Sequence, residues 1–163
     1  MYFDKGQSIP LSSKLRYKGP SSEMPKRAKP LQKGCILIVE DSPDFSNLLK
    51  FLVEDEGFEG VQYPIDNEDI VSWAKDCKPA VILMDLALRR KGGMDFIEDL
   101  KADPATKNIP IVIITGRDLS QKDVVGLELR GVKYLRKGRV EINEIKHLIM
   151  EAARPKKGSP AAE

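Results

Sequence analysis

Three short apolar runs, "CILIV" at 35–39, "AVILM" at 80–84 and "IPIVIIT" at 109–115, constrain this chain more than any other feature. Each is rich in β-branched residues, too short for a buried helix and apolar up to the closing Thr115 of the last, so each reads as a strand covered on both faces. Between them the period changes. Ser42 followed by Pro43 gives an N-cap with proline at the first helical position. Phe45, Leu48, Leu49 and Leu52 then recur at helical spacing, and Gly57 ends the segment. "FEGVQY" reads as a weaker strand and "DNEDIVSWAKDC" as a helix with Ile70, Trp73 and Ala74 inward. "GMDFIEDLKAD" is a helix stopped by Pro104, and "LSQKDVVGLELRG" one weakened by Gly126. "VKYLR" is a fifth strand, and "EINEIKHLIMEAA" a last helix stopped by Pro155, with Ile142, Ile145, Leu148 and Ile149 on one face. Strands alternating with helices predict an α/β fold, a doubly wound five-stranded parallel sheet with five helices.

The 163 residues suit one domain with tails. Residues 1–33 carry eight Lys and Arg against Asp4 and Glu23, whereas the whole chain is only +2, so a basic arm precedes a mildly acidic domain. With Pro10, Pro20, Pro25 and Pro30 and no periodicity, the arm reads as a disordered extension. Its charge suits nucleic acid or anionic lipid, but a solubilising leader is the preferred reading and nucleic-acid binding is not expected. Residues 34–155 form the expected domain and 156–163 a polar tail. Cys35 and Cys77 lack CxxC spacing and sit in apolar or helical patterns, which predicts free buried thiols in a reducing compartment. No window approaches a membrane span and the first 30 residues lack a signal peptide's apolar core, so the expected location is the cytoplasm.

In a doubly wound sheet, ligands bind beyond the strands' C-terminal ends. Glu40 and Asp41 follow the first strand, Asp85 the third, Thr115 ends the fourth and Lys137 follows the fifth. Carboxylates at strand ends are usually solvated; three of them meeting a hydroxyl and an ammonium at one edge favour a site. Oxygen ligands from Glu40, Asp41 and Asp85 suit Mg²⁺. A carboxylate beside such an ion and a lysine stays ionised and can attack phosphorus, with Thr115 and Lys137 stabilising the transferring group.

Over residues 34–155 the sequence resembles the receiver domains of two-component response regulators. The resemblance rests on "ILIVEDSPD", "VILMDL", "IVIITG" and "YLRKG", with Gly93 eight residues after Asp85 and the "LKADPATKNIPIVIITG" link. It implies a flavodoxin-like sheet of strand order 2-1-3-4-5 and phosphorylation of Asp85 by a histidine kinase or histidine phosphotransfer protein. It implies Mg²⁺ held by Glu40, Asp41, Asp85 and the backbone carbonyl of Ala87. Thr115 and Tyr134 would form a coupled switch that alters the face of the fourth helix, fifth strand and fifth helix. The output would be contact with a protein target, and the chain would be a signalling module, not a metabolic enzyme.

Two departures stand out. Where the family carries lysine then proline, often in a cis bond, this chain has Lys137-Gly138, for which a trans bond is expected. The loop "LALRRKGG" carries Arg89, Arg90 and Lys91 at the site mouth, read either as an attractor of phosphate or of an acidic partner, or as a solvated loop. Ala87 and Arg117 stand where the family tunes dephosphorylation, and alanine cannot orient a water through its side chain, so a long-lived aspartyl phosphate is expected. Two alternatives are a pseudo-receiver acting as an unphosphorylated interaction module and, less favoured, a metal-dependent phosphohydrolase. The latter would want a second carboxylate where Ala87 stands. Outside the resemblance, Tyr134 reads as a core aromatic, and His147 as solvated.

Overall fold

The computed structural model describes residues 33–155. The expected arm therefore lies outside the described residues except for Lys33, and so does the 156–163 tail. Five strands form one parallel sheet in the order β2-β1-β3-β4-β5: β1 (Cys35–Val39), β2 (Glu59–Gln62), β3 (Val81–Met84), β4 (Ile111–Thr115) and β5 (Val132–Arg136). The helices are α1 (Pro43–Asp55), α2 (Ile70–Cys77), α3 (Gly93–Ala102), α4 (Gln121–Leu129) and α5 (Ile142–Ala153). Each connects consecutive strands or follows the last.

Alternation along the strands divides the core. Leu37, Val39, Ile82, Met84, Ile111 and Ile113 face α2, α3 and α4 through Ile70, Phe96, Leu100 and Leu127. Ile36, Ile38, Val81, Leu83, Val112 and Ile114 face α1 and α5 through Leu49, Val53, Ile145 and Ile149. β1, β3 and β4 are buried at every residue, as their unbroken apolar runs require. Trp73 packs half-buried against this core, edge-on to Tyr63, and His147 is exposed. α4 buries the fewest residues of the five helices. Leu127 is its one buried residue, while Val125 and Leu129 are exposed.

Helix α2 starts four residues later than the polar run "DNED" suggested. Asn67 accepts from the Asp69 amide, and Asp69 caps the helix by accepting from Ser72 N–H at 3.0 Å. Those side chains satisfy local backbone donors, which favours a turn over a further helical turn.

The expectation of free thiols is overturned. Cys35 and Cys77 form a disulfide, with Cα atoms 6.7 Å apart. Forty-two residues separate them, and only the crossover that returns α2 beside the start of β1 brings them together. Sequence spacing alone carries no trace of that. The bond also removes the thiol-based support for a reducing compartment.

Candidate functional site

Parallel strands place their C-terminal ends on one edge, and the residues singled out there converge. β1 delivers Glu40 and Asp41, β3 delivers Asp85, β4 ends on Thr115, and β5 leads into Lys137. The lysine Nζ lies 2.6 Å from Glu40 Oε2 and 2.9 Å from Asp85 Oδ2, across 97 and 52 residues of sequence. It also sits 4.4 Å from the centre of the Phe45 ring, a cation–π contact from the first turn of α1. Phe45 read as an ordinary apolar-face residue; its place four residues after Asp41 was the available signal.

Lysine reach does not need the missing proline. The peptide bond to Gly138 is trans, as expected, since the described residues hold no cis bond. Gly138 has φ +78°, the left-handed region, so the turn is made by glycine's lack of a Cβ. The Lys137 amide donates to Thr115 O at 2.9 Å, and β4–β5 pairing sets where the side chain begins.

The acids are nearly closed off. The Glu40 side chain is 2 % exposed and that of Asp85 5 %, while Lys137 keeps 23 %. Glu40 Oε1 accepts from Ser42 N–H at 2.9 Å, and Asp85 Oδ1 from Ala87 N–H at 3.0 Å. Ser42 is the N-cap of α1 as expected, but its side chain makes no capping bond; its amide serves the acid instead. Burial pushes the Glu40 carboxyl up, and neither Lys137 nor the Ser42 amide offsets it while Asp85 adds to it. Burial pushes Asp85 the same way, but the Ala87 amide, Lys137 and the Thr115 hydroxyl outweigh it and hold the carboxyl below its usual range. For Lys137, burial alone would favour the neutral amine; hydrogen bonds to Glu40 and Asp85 reverse that and raise it. The surroundings thus favour the charged form of Asp85 more than that of Glu40.

Asp41 completes the group. One carboxylate oxygen from each of Glu40, Asp41 and Asp85 falls within 4.8 Å of the others. Mostly buried and all-oxygen, with three carboxylates against the two cations Lys137 and Arg89, this donor set fits a hard divalent cation such as Mg²⁺. Gly93 stands against the same loop: a Cβ there would lie 2.8 Å from Leu86 Cα and closer still to Asp85 O. Only glycine lets α3 start beside the Asp85 peptide.

Thr115 is fully buried, and its Oγ1 accepts from Arg117 N–H at 3.3 Å. The half-buried Tyr134 donates from its hydroxyl to Arg117 O at 2.9 Å. Both side chains therefore bind the backbone of one residue. Of the loop cations, Arg89 Nε lies 3.5 Å from Asp41 Oδ2 and Arg90 Nε 3.3 Å from Asp66 Oδ1, pairings within the chain that neither reading of the loop specified. Arg89 and Arg90 border an open cleft of about 580 Å³ that Asp41, Ser46, Asn47 and Gln62 also line.

Residues 36–150 match the profile of the response regulator receiver domain. The phosphate regulon transcriptional regulatory protein PhoB of Escherichia coli K12 is 33 % identical over 102 residues, which cover 63 % of this chain and 44 % of that protein. The sensory transduction protein RegX3 of Mycolicibacterium smegmatis is 32 % identical over 102 residues, 63 % of this chain and 43 % of RegX3. The chain thus spans under half the length of these relatives. Among solved structures, the BeF3-activated receiver domain of Klebsiella pneumoniae RstA superposes with a TM-score of 0.61 at 24 % identity, covering 74 % of this chain and 98 % of that one. The Mn²⁺-bound form of the response regulator Rcp1 does so at 0.54 and 25 %, covering 72 % and 90 %.

Proposed function

This chain belongs to the response regulator receiver domain family, and from that premise we propose that Asp85 is its phosphoacceptor. The observation that carries the reading is Lys137 Nζ bonded at once to Asp85 and Glu40 from the end of the edge strand β5. A histidine kinase or histidine phosphotransfer protein supplies the phosphoryl group. The Asp85 carboxylate attacks phosphorus, a P–O bond forms, the P–N bond of the phosphohistidine breaks, and the imidazole leaves with the bonding pair to take up a proton. Asp85 is suited to the attack because its environment holds it ionised. Lys137 offers an ammonium to the transferred oxygens, and Thr115 a hydroxyl that accepts from Arg117 N–H and keeps its own proton to donate.

Glu40, Asp41, Asp85 and the Ala87 carbonyl would hold Mg²⁺, and the bound ion would neutralise charge on the phosphoryl oxygens. Rcp1, described in an Mn²⁺-bound form, supports that assignment by likeness. Thr115 and Tyr134 form the switch. The two share the Arg117 backbone, so drawing the Thr115 hydroxyl to the phosphoryl group frees that amide and loosens the carbonyl bonded by Tyr134. The packing of α4, β5 and α5 shifts with it, a change of population between two arrangements. The output is a contact with a target protein, and the chain turns over no metabolite. Ala87 offers no side chain to activate water, so the acyl phosphate is long-lived. The reading places the protein in the cytoplasm; the Cys35–Cys77 bond is the observation that pulls the other way.

The deciding experiment is incubation with Mg²⁺ and acetyl phosphate, followed by intact-mass measurement. One added phosphoryl group, absent in Asp85→Asn and persisting for minutes after the donor is removed, is the expected result. Unmodified protein under conditions where Mg²⁺ binds would defeat the assignment; decay within seconds would defeat the long lifetime.

A further inference from the structure

The three acids do not share their counter-charge evenly. Lys137 serves Glu40 and Asp85. For Asp41 the cation is Arg89, brought round by the loop that starts at the phosphoacceptor itself. The two ends of this pair differ sharply in setting. The Asp41 side chain is 16 % exposed, whereas that of Arg89 is 83 % exposed, so the guanidinium reaches in from water with little to hold it except the carboxylate.

An arginine cannot release its proton to relieve a conflict. A divalent ion that takes Asp41 as ligand therefore meets a fixed positive charge 3.5 Å from the oxygen it needs. One of the two cations has to move, and the exposed, weakly held side chain is the one free to do so. Arg90 provides the internal comparison. It borders the same cleft and carries the same charge, but its partner is Asp66, outside the acid group.

We propose that Arg89 is a displaceable latch on Asp41 that sets the protein's affinity for divalent cations, competing with the ion for that carboxylate. The inference rests on the metal site assigned above. Its role is positional, since Arg89 contacts a metal ligand and not the ion.

The test is direct titration of the 163-residue chain with Mn²⁺, read by the loss of the free-ion electron paramagnetic resonance signal, with Mg²⁺ as competitor. Arg89→Met keeps the apolar stem and removes the charge; it should tighten Mn²⁺ binding by roughly two- to fivefold, the factor that losing one exposed ion pair corresponds to. Arg90→Met should stay close to wild type. Unchanged or weaker binding in Arg89→Met overturns the latch. So does equal tightening by both variants, which would mean general loss of positive charge from the cleft. Asp85→Asn separates the two layers of the reading. If wild type binds no Mn²⁺, or Asp85→Asn binds as well as wild type, the metal site and the latch both fall. If binding depends on Asp85 and Arg89→Met changes nothing, the latch alone falls.

Discussion

Replacing Lys137 by methionine isolates the electrostatic core of the site. The variant keeps most of the stem and removes the ammonium that bonds Glu40 at 2.6 Å and Asp85 at 2.9 Å. Two carboxylates whose side chains are 2 % and 5 % exposed then lose their common cation, with Asp41 close by. Breaking a buried ion pair by deleting one partner costs about 3–5 kcal/mol. Lys137 is 23 % exposed, so water already screens part of its charge, and the lower end, about 3 kcal/mol at pH 7, is expected. The pH dependence adds a sharper signature. Glu40 is already raised above its ordinary value. Such an acid destabilises the fold when ionised, and the penalty fades as pH falls through its folded value towards its unfolded one. Asp85 is lowered, and the stability it contributes is present above its unfolded value and lost as pH falls through the folded one. Without Lys137 both carboxyls move up. The gap between variant and wild type should therefore narrow as pH falls from 7 to 5, because each carboxyl binds its proton at a higher pH in the variant than in wild type. Urea denaturation at both pH values measures this. Equal midpoints at pH 7, or a gap that stays constant down to pH 5, would refute the reasoning.

Three further outcomes follow from the same geometry. Gly93→Ala should cost about 1–3 kcal/mol in chemical denaturation and slow phosphoryl uptake, because the new methyl collides with the Asp85–Leu86 backbone and moves the acceptor. Cys77→Ser should lower stability by up to about 4 kcal/mol, the loop-entropy value for the 42-residue separation; a reductant should do the same to wild type and nothing to the variant. Gly138→Pro, which restores the family's residue, should destabilise the protein and slow acetyl phosphate uptake, because proline fixes φ near −65° where Gly138 stands at +78°.

What the sequence disclosed depended on whether a signal was local. Strands β1, β3 and β4 were legible because burial on both faces demands unbroken apolar runs. Glu40, Asp41, Asp85, Thr115 and Lys137 were legible as a group because parallel strands must end together, and the structure does bring the acids and the lysine together. The start of α2 was misjudged because Asn67 and Asp69 satisfy backbone donors as well in a turn as in a helix. The disulfide was missed because the approach of Cys35 to Cys77 is a property of the crossover, not of either segment. Arg89 was legible as a charge but not as a partner of Asp41, since the path of the β3–α3 loop decides where it lands.

The disulfide also gives the molecule a clamped end. Cys35 opens β1 and Glu40 follows its last residue, so the covalent tie lies roughly 17 Å from the acids along one strand. It fastens β1 to α2 at the foot of the sheet, while α4, on the far side of β4, buries only Leu127. The anchoring of the fold is thus lopsided, covalent where β1 meets α2 and thinly buried under α4. On the phosphoacceptor reading proposed for Asp85, a charge added there would meet thinner packing on the α4 side, where Val125 and Leu129 already face solvent.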